Sequence, residues 1–214
     1  MPRREHARFC SARCRVAWNR QNIGERAAEM SALDWSITAM GEATTRLARV
    51  RPWEPARAWA AVSDAVWWVT IVDATVVRYY PEVYDGVLGC LPPAECRLVE
   101  DTLAGLRFVR NQMGAGDQPD FIRPESGSGC DQRPSGVTSW TWAPLPQPDL
   151  EALPSRGQAW ELGRYQAYEV RLAGRPVGET FGRAAAFLRK AVEKIAASSD
   201  GDVTAVTEPA GRLG

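Results

Sequence analysis

Apolar positions along this chain recur at alternating steps of three and four, the period of an amphipathic helix. Met30, Leu33, Ile37, Met40, Thr44 and Leu47 form one such stripe, and Trp59, Val62, Val66, Val69, Asp73, Val76 and Tyr80 form a second. Between them Arg51-Pro52-Trp53-Glu54-Pro55 stops one helix and starts the next, with Pro55 suited to a first-turn position where its missing N–H costs nothing. The pattern predicts two antiparallel helices of about 20 residues each. A third begins near Pro93, presents Leu98, Leu103, Leu106, Val109 and Met113 on one face, and ends around Gly114. Two more follow, over Ala159 to Leu172 and Val177 to Ala197, the last turning Phe181, Ala184, Leu188, Ala191 and Ile195 inward.

From Gly114 to Gly157 the periodicity breaks. Proline, glycine, serine and aspartate dominate, except at Val137-Thr138-Ser139-Trp140-Thr141-Trp142, which reads as a short strand or hairpin arm. A connection this long inside a compact domain is either mobile or functional. The expected fold class is mainly α: an antiparallel helical bundle with a Pro/Gly-rich insertion holding a short β-hairpin. The expected organisation is a basic segment over 1–26, a helical domain over 27–198 and a disordered tail over 199–214. No internal repeat, nucleotide-binding glycine loop, nucleophile elbow or paired-histidine metal motif is present.

Composition adds a charge asymmetry. The 214 residues are 45% apolar, enough to bury one core, and their charges sum to zero. Residues 1–26 hold seven arginines (Arg3, Arg4, Arg8, Arg13, Arg15, Arg20, Arg26) against Glu5 and Glu25, a net +5 that leaves −5 for the rest. A basic arm on an acidic body suits contact with nucleic acid, with Arg3, Arg4, Arg8, Arg13, Arg15 and Arg20 as the contacting residues; a solvated helix face explains the same charges. Lysine occurs only at Lys190 and Lys194, a bias that reads as a GC-rich genome rather than as function. No apolar stretch follows the N-terminal charges, so no signal peptide is expected. The run from Ala56 to Tyr80 is interrupted by Arg57, Asp64, Asp73 and Arg78, short of about 18 uninterrupted apolar residues. With five cysteines in no framework spacing, the chain reads as cytoplasmic, with no membrane partner.

Cys10 and Cys14 carry the first candidate chemistry. If Ser11 caps a helix, Cys14 falls in its first turn and both sulfurs can face one metal ion. Phe9, Cys10, Ser11, Cys14 and Arg15, followed by a basic helix, resemble the second half of the small zinc knuckles common in actinobacterial proteins. In that family a Cys-x2-Cys turn precedes this half and completes four ligands. Here the site is incomplete: His6 is a doubtful third ligand, and zinc is expected only if the true start lies upstream of Met1. Surface thiols are the plainer reading, with no cofactor.

The segment Leu106-Arg107-Phe108-Val109-Arg110-Asn111-Gln112-Met113-Gly114, at a helix end and ahead of Asp120-Phe121-Ile122, resembles the Arg-Asn motif of HEPN domains over residues 30–125. That resemblance implies a helical bundle that binds or cleaves RNA, with Arg110 holding a phosphate, Asn111 beside it and a histidine base about four residues on. Ala115, Gly116 and Asp117 stand where the histidine is expected, and His6 is the sole histidine of the chain. An aspartate with the unperturbed pKa of about 4 is a poor base at neutral pH, so Asp117 does not replace the histidine. The resemblance therefore implies a degenerate, non-catalytic relative, and an ordinary helix end explains Arg110 and Asn111 equally: the arginine serves the dipole and the asparagine caps.

Other aromatic and thiol groups read more plainly. Trp67-Trp68 and Trp59 suit core filling. Trp140 and Trp142 share a face if their segment is a strand, suited to stacking on bases or, more simply, to burial. Trp160, Glu161, Arg164, Tyr165 and Tyr168 stand at helical spacing, so Glu161 can pair with Arg164 or Tyr165, an ordinary surface unless it lines a pocket with Arg110. Cys90, Cys96 and Cys130 read as buried or free thiols. Three function classes fit: a non-enzymatic protein binding nucleic acid or a protein through its basic arm, a HEPN-like ribonuclease or its degenerate relative, and a structural bundle that forms a homodimer through residues 30–80.

Overall fold

The protein is described here by a computed structural model covering residues 12–51, 54–113, 121–124 and 140–204. Six helices and one two-stranded sheet make up these residues: α1 (Ala12–Arg49), α2 (Pro55–Tyr79), α3 (Pro81–Leu88), α4 (Pro93–Met113), β1 (Ile122–Pro124), β2 (Trp140–Trp142), α5 (Ser155–Arg171) and α6 (Val177–Thr204). The chain forms two compact units, 1–35 and 36–214, the second holding every element from α2 onward. The mainly α fold class is as expected.

Proline sets three of the helix starts. Pro55, Pro81 and Pro93 each open a helix, where a fixed φ is already helical and no N–H is needed. Within α2 the stripe Val62, Val66, Val69, Asp73 and Val76 is buried, and within α6 so are Phe181, Ala184, Leu188, Ala191 and Ile195. These faces meet at the centre of the second unit, where α2 packs on α3, α4 and α6, and α4 packs on α2, α6 and most extensively on α5. At the α4–α5 contact a Cβ added to Gly105 would come 2.9 Å from Leu172 Cδ1 and 3.2 Å from the Tyr168 Cα. Glycine is thus what lets the two helix backbones approach so closely.

The described strands of the insertion are built into this core. β1 and β2 pair antiparallel, with Ile122 opposite Trp142 and Pro124 opposite Trp140. The other edge of β2 is bonded to the α5–α6 turn: Trp142 N–H donates to the Arg175 carbonyl at 3.0 Å, and Gly174 N–H donates to the Trp142 carbonyl at 2.8 Å. Gly174 takes a φ of +72°, a left-handed conformation that this turn requires and that a side chain would strain. All three β2 residues are buried, and the Trp142 indole N–H donates to Thr180 Oγ1 at 2.9 Å. Trp140 and Trp142 are therefore wall and floor of the core and not an exposed stacking pair.

Several expectations change. α1 spans 38 residues rather than about 20. α3 follows directly on α2 and was not foreseen, and α6 runs on to Thr204 past the Ser198 boundary assigned to the tail. Residues 137–139 of the expected strand lie outside the described residues. Helix α2 is long and apolar enough to cross a membrane by length and composition, because Arg57 and Arg78 stand near its ends and only Asp64 and Asp73 interrupt the interior; half of its apolar window is buried.

Candidate functional site

The last turns of α4 bring its polar residues to two neighbours at once. The Arg110 guanidinium lies over the Trp67 ring of α2, 4.9 Å from the ring centroid. Trp67 is 51% exposed, so the pair is a surface feature and the tryptophan is not core filling. One residue on, Asn111 Nδ2 donates to Glu161 Oε2 of α5 at 3.0 Å, and Arg164 Nη1 approaches the same oxygen at 3.4 Å. Glu161 is only 6% exposed, so Asn111 and Arg164 offset the cost of burying its charge. Both donors engage Oε2, and Oε1 is the oxygen that neither of them holds.

An open depression of about 520 Å³ adjoins this seam, lined by Leu153, Gly157, Trp160, Glu161 and Arg164. Trp160 is 71% exposed. Glu161 thus joins the Arg110–Asn111 corner to the depression, which makes its α5 face more than an ordinary helix surface. Taken together, Arg110, Arg164 and Glu161 carry a net +1, with the exposed Trp67 beside Arg110 and the exposed Trp160 in the depression. Such a surface can stack planar groups and hold anions.

The seam rests on a buried network one turn earlier. Arg107 Nε donates to Asp73 Oδ2 at 2.6 Å, and the Asp73 carboxylate is 1% exposed. Its second oxygen, Oδ1, has no hydrogen-bond partner among the described residues. Burial, with the nearby Asp73 charge adding to it, pushes the Tyr84 hydroxyl well above the usual phenol range. Burial does the same to Tyr168, whose hydroxyl donates to the Ala143 carbonyl. Arg107 ties α4 to α2 and so fixes the height at which Arg110 meets Trp67.

A second charged feature lies between the C-terminal half of α1 and α6. Thr38, Gly41, Glu42, Thr45, Arg46 and Arg49 line it from α1, and Arg189 from α6, around about 510 Å³. Arg46 Nη2 contacts Asp64 Oδ2 at 2.8 Å. The Arg189 guanidinium reaches across α1 to within 3.7 Å of where a Gly41 Cβ would sit.

The structure thus brings Arg110 and Asn111 to one site: Arg110 stands in the last turn of α4, as the helix-end reading expects, while Asn111 takes another role. Asn111 does not cap: α4 continues to Met113, and its amide is spent on Glu161. Arg13, Cys14, Arg15 and Arg20 lie on α1, whereas Arg3, Arg4, His6, Arg8, Cys10, Asp117 and Cys130 fall outside the described residues. Among the described residues no three His, Cys, Asp or Glu side chains gather as a metal site. Cys90 and Cys96 are free thiols, and Cys96 Sγ donates to Glu100. Sequence reading missed the exposure of Trp67, the Asn111–Glu161 bond and the arginine groove; the two arginines in the last turn of α1 were the available signal for the groove. No family model, curated protein or solved structure matches this chain.

Proposed function

We propose that this is a non-enzymatic, cytoplasmic helical protein that binds single-stranded nucleic acid, a degenerate relative of the HEPN bundles. The basic N-terminal arm, through Arg3, Arg4, Arg8, Arg13, Arg15 and Arg20, supplies sequence-independent attraction to phosphates. The α4–α5 seam supplies the contact to bases. The observation that carries this reading is the Arg110–Trp67 pair: a guanidinium stacked on a half-exposed indole offers both a π-face and phosphate donors. Stacking of this kind is worth about 1–3 kcal/mol per base and tolerates any sequence, which suits a binder better than a cleaving enzyme.

The catalytic alternative lacks the histidine base that the resemblance expects shortly after Asn111, because the one histidine of the chain is His6. Fluorescence anisotropy with labelled single-stranded RNA and DNA tests the reading. Affinity should fall steeply with salt, and Trp67→Ala should weaken binding about 5- to 100-fold while the RNA is recovered intact. Absence of binding to both polymers at low salt removes the proposal. Cleavage of the RNA, abolished by Arg110→Ala, would replace it with the ribonuclease reading.

A further inference from the structure

The α1–α6 groove has more positive charge than its surroundings explain. It sits on a portion of the chain, residues 27–214, whose charges sum to −5, yet three arginines and a single carboxylate, Glu42, line one opening. Asp64 satisfies Arg46. Neither Arg49 nor Arg189 enters an ion pair among the described residues, and both are exposed. The negative C-terminal end of α1 accounts for Arg46 and Arg49, which stand in its last turn. It does not account for Arg189, which comes from the middle of α6 and is directed onto the same opening at Gly41. A Cβ at position 41 would stand in ordinary van der Waals contact with this guanidinium. Arg49 and Arg189, brought to one opening from two helices with neither in an ion pair among the described residues, repel each other and attract an anion. Arg is also the side chain whose fixed fork of N–H donors matches phosphate oxygens two at a time.

We infer that this groove holds the sugar-phosphate backbone of a bound nucleic acid strand, with Arg49 and Arg189 each contacting a phosphate. The inference rests on the nucleic-acid reading above and adds a second, base-independent contact to it. Thr38 and Thr45 line the same wall beside the arginines.

The test uses the full chain and a labelled oligouridylate. Replacing both arginines, as Arg49→Gln with Arg189→Gln, removes two phosphate contacts. The slope of log Kd against log salt should then fall by about 1.4, at about 0.7 per single-strand contact. The lysine pair, Arg49→Lys with Arg189→Lys, should keep the slope. In the unaltered protein, bound oligouridylate should shield Arg49 and Arg189 from an arginine-modifying dicarbonyl, read by mass spectrometry; this measurement needs no variant to fold. A wild-type slope in the glutamine variant, or full modification of both arginines in the complex, overturns the groove while leaving the seam as the binding site. If the unaltered protein binds no oligouridylate, the parent reading and this inference fall together.

Discussion

At the scale of single residues, the Asp73–Arg107 pair shows how the two ends of one ion pair differ. The Asp73 side chain is 1% exposed and that of Arg107 34% exposed, so only the arginine side of the pair is partly solvated. Removing the arginine strands a carboxylate that already has one oxygen without a partner. Arg107→Met should therefore destabilise by about 3–5 kcal/mol, whereas Asp73→Asn, which leaves a half-solvated arginine, should cost less. Urea midpoints of the two variants check the order, and equal costs would refute it. Sequence showed Asp73 as a polar member of an apolar stripe but could not show its partner, since Arg107 lies 34 residues on. The same limit hid the seam. Arg110-Asn111 stood out as a dipeptide, while Glu161, which gives Asn111 its role, is 50 residues away and reaches it only through helix packing.

At the scale of elements, periodicity predicted what it physically encodes, which is a buried face along a helix. The Val62 to Val76 and Phe181 to Ile195 stripes are buried as expected. Helix α3 escaped because its eight residues span barely two turns, too few for a period to repeat. Strand β2 was legible by its aromatic and β-branched residues, but the burial of all three was not, because its second edge is taken by the α5–α6 turn, distant in sequence. The α4–α5 contact was invisible for a different reason: a glycine in a helix looks like a weakness until its neighbour is known. Gly105→Ala gains about 1 kcal/mol of helix propensity but places a Cβ against the Tyr168 backbone, which cannot rotate away. Overpacking costs about 1–3 kcal/mol, so the variant should be less stable by about 1 kcal/mol, with Gly105→Val worse. A thermal midpoint equal to or above wild type would contradict this.

At the scale of the whole molecule, stability should decline in alkali in a way tied to two buried phenols. Tyr84 and Tyr168 are both raised above the ordinary value of 10.0, foremost by burial. The folded protein keeps these protons after the unfolded chain has begun to release them. Their contribution is complete below pH of about 10 and is lost as pH climbs beyond it, at up to about 1.4 kcal/mol per pH unit for each group. Tyr168→Phe should shorten the stability at neutral pH by removing the bond to Ala143, yet reduce the alkaline slope; chemical denaturation at two pH values separates the effects. An unchanged slope would remove Tyr168 as its source.

The closeness of α4 and α5 at Gly105 has a kinetic meaning as well. Helices in such close contact resist sliding past each other, and the contact at Gly105 therefore favours one spacing of Asn111 and Glu161. On the nucleic-acid reading proposed above, a strand arriving at the seam would meet a surface already formed. No part of its binding free energy goes into ordering the protein there. If the protein binds a strand as proposed, its association rate should be set by long-range attraction to the basic arm rather than by a conformational step, and salt should act on arrival more than on departure.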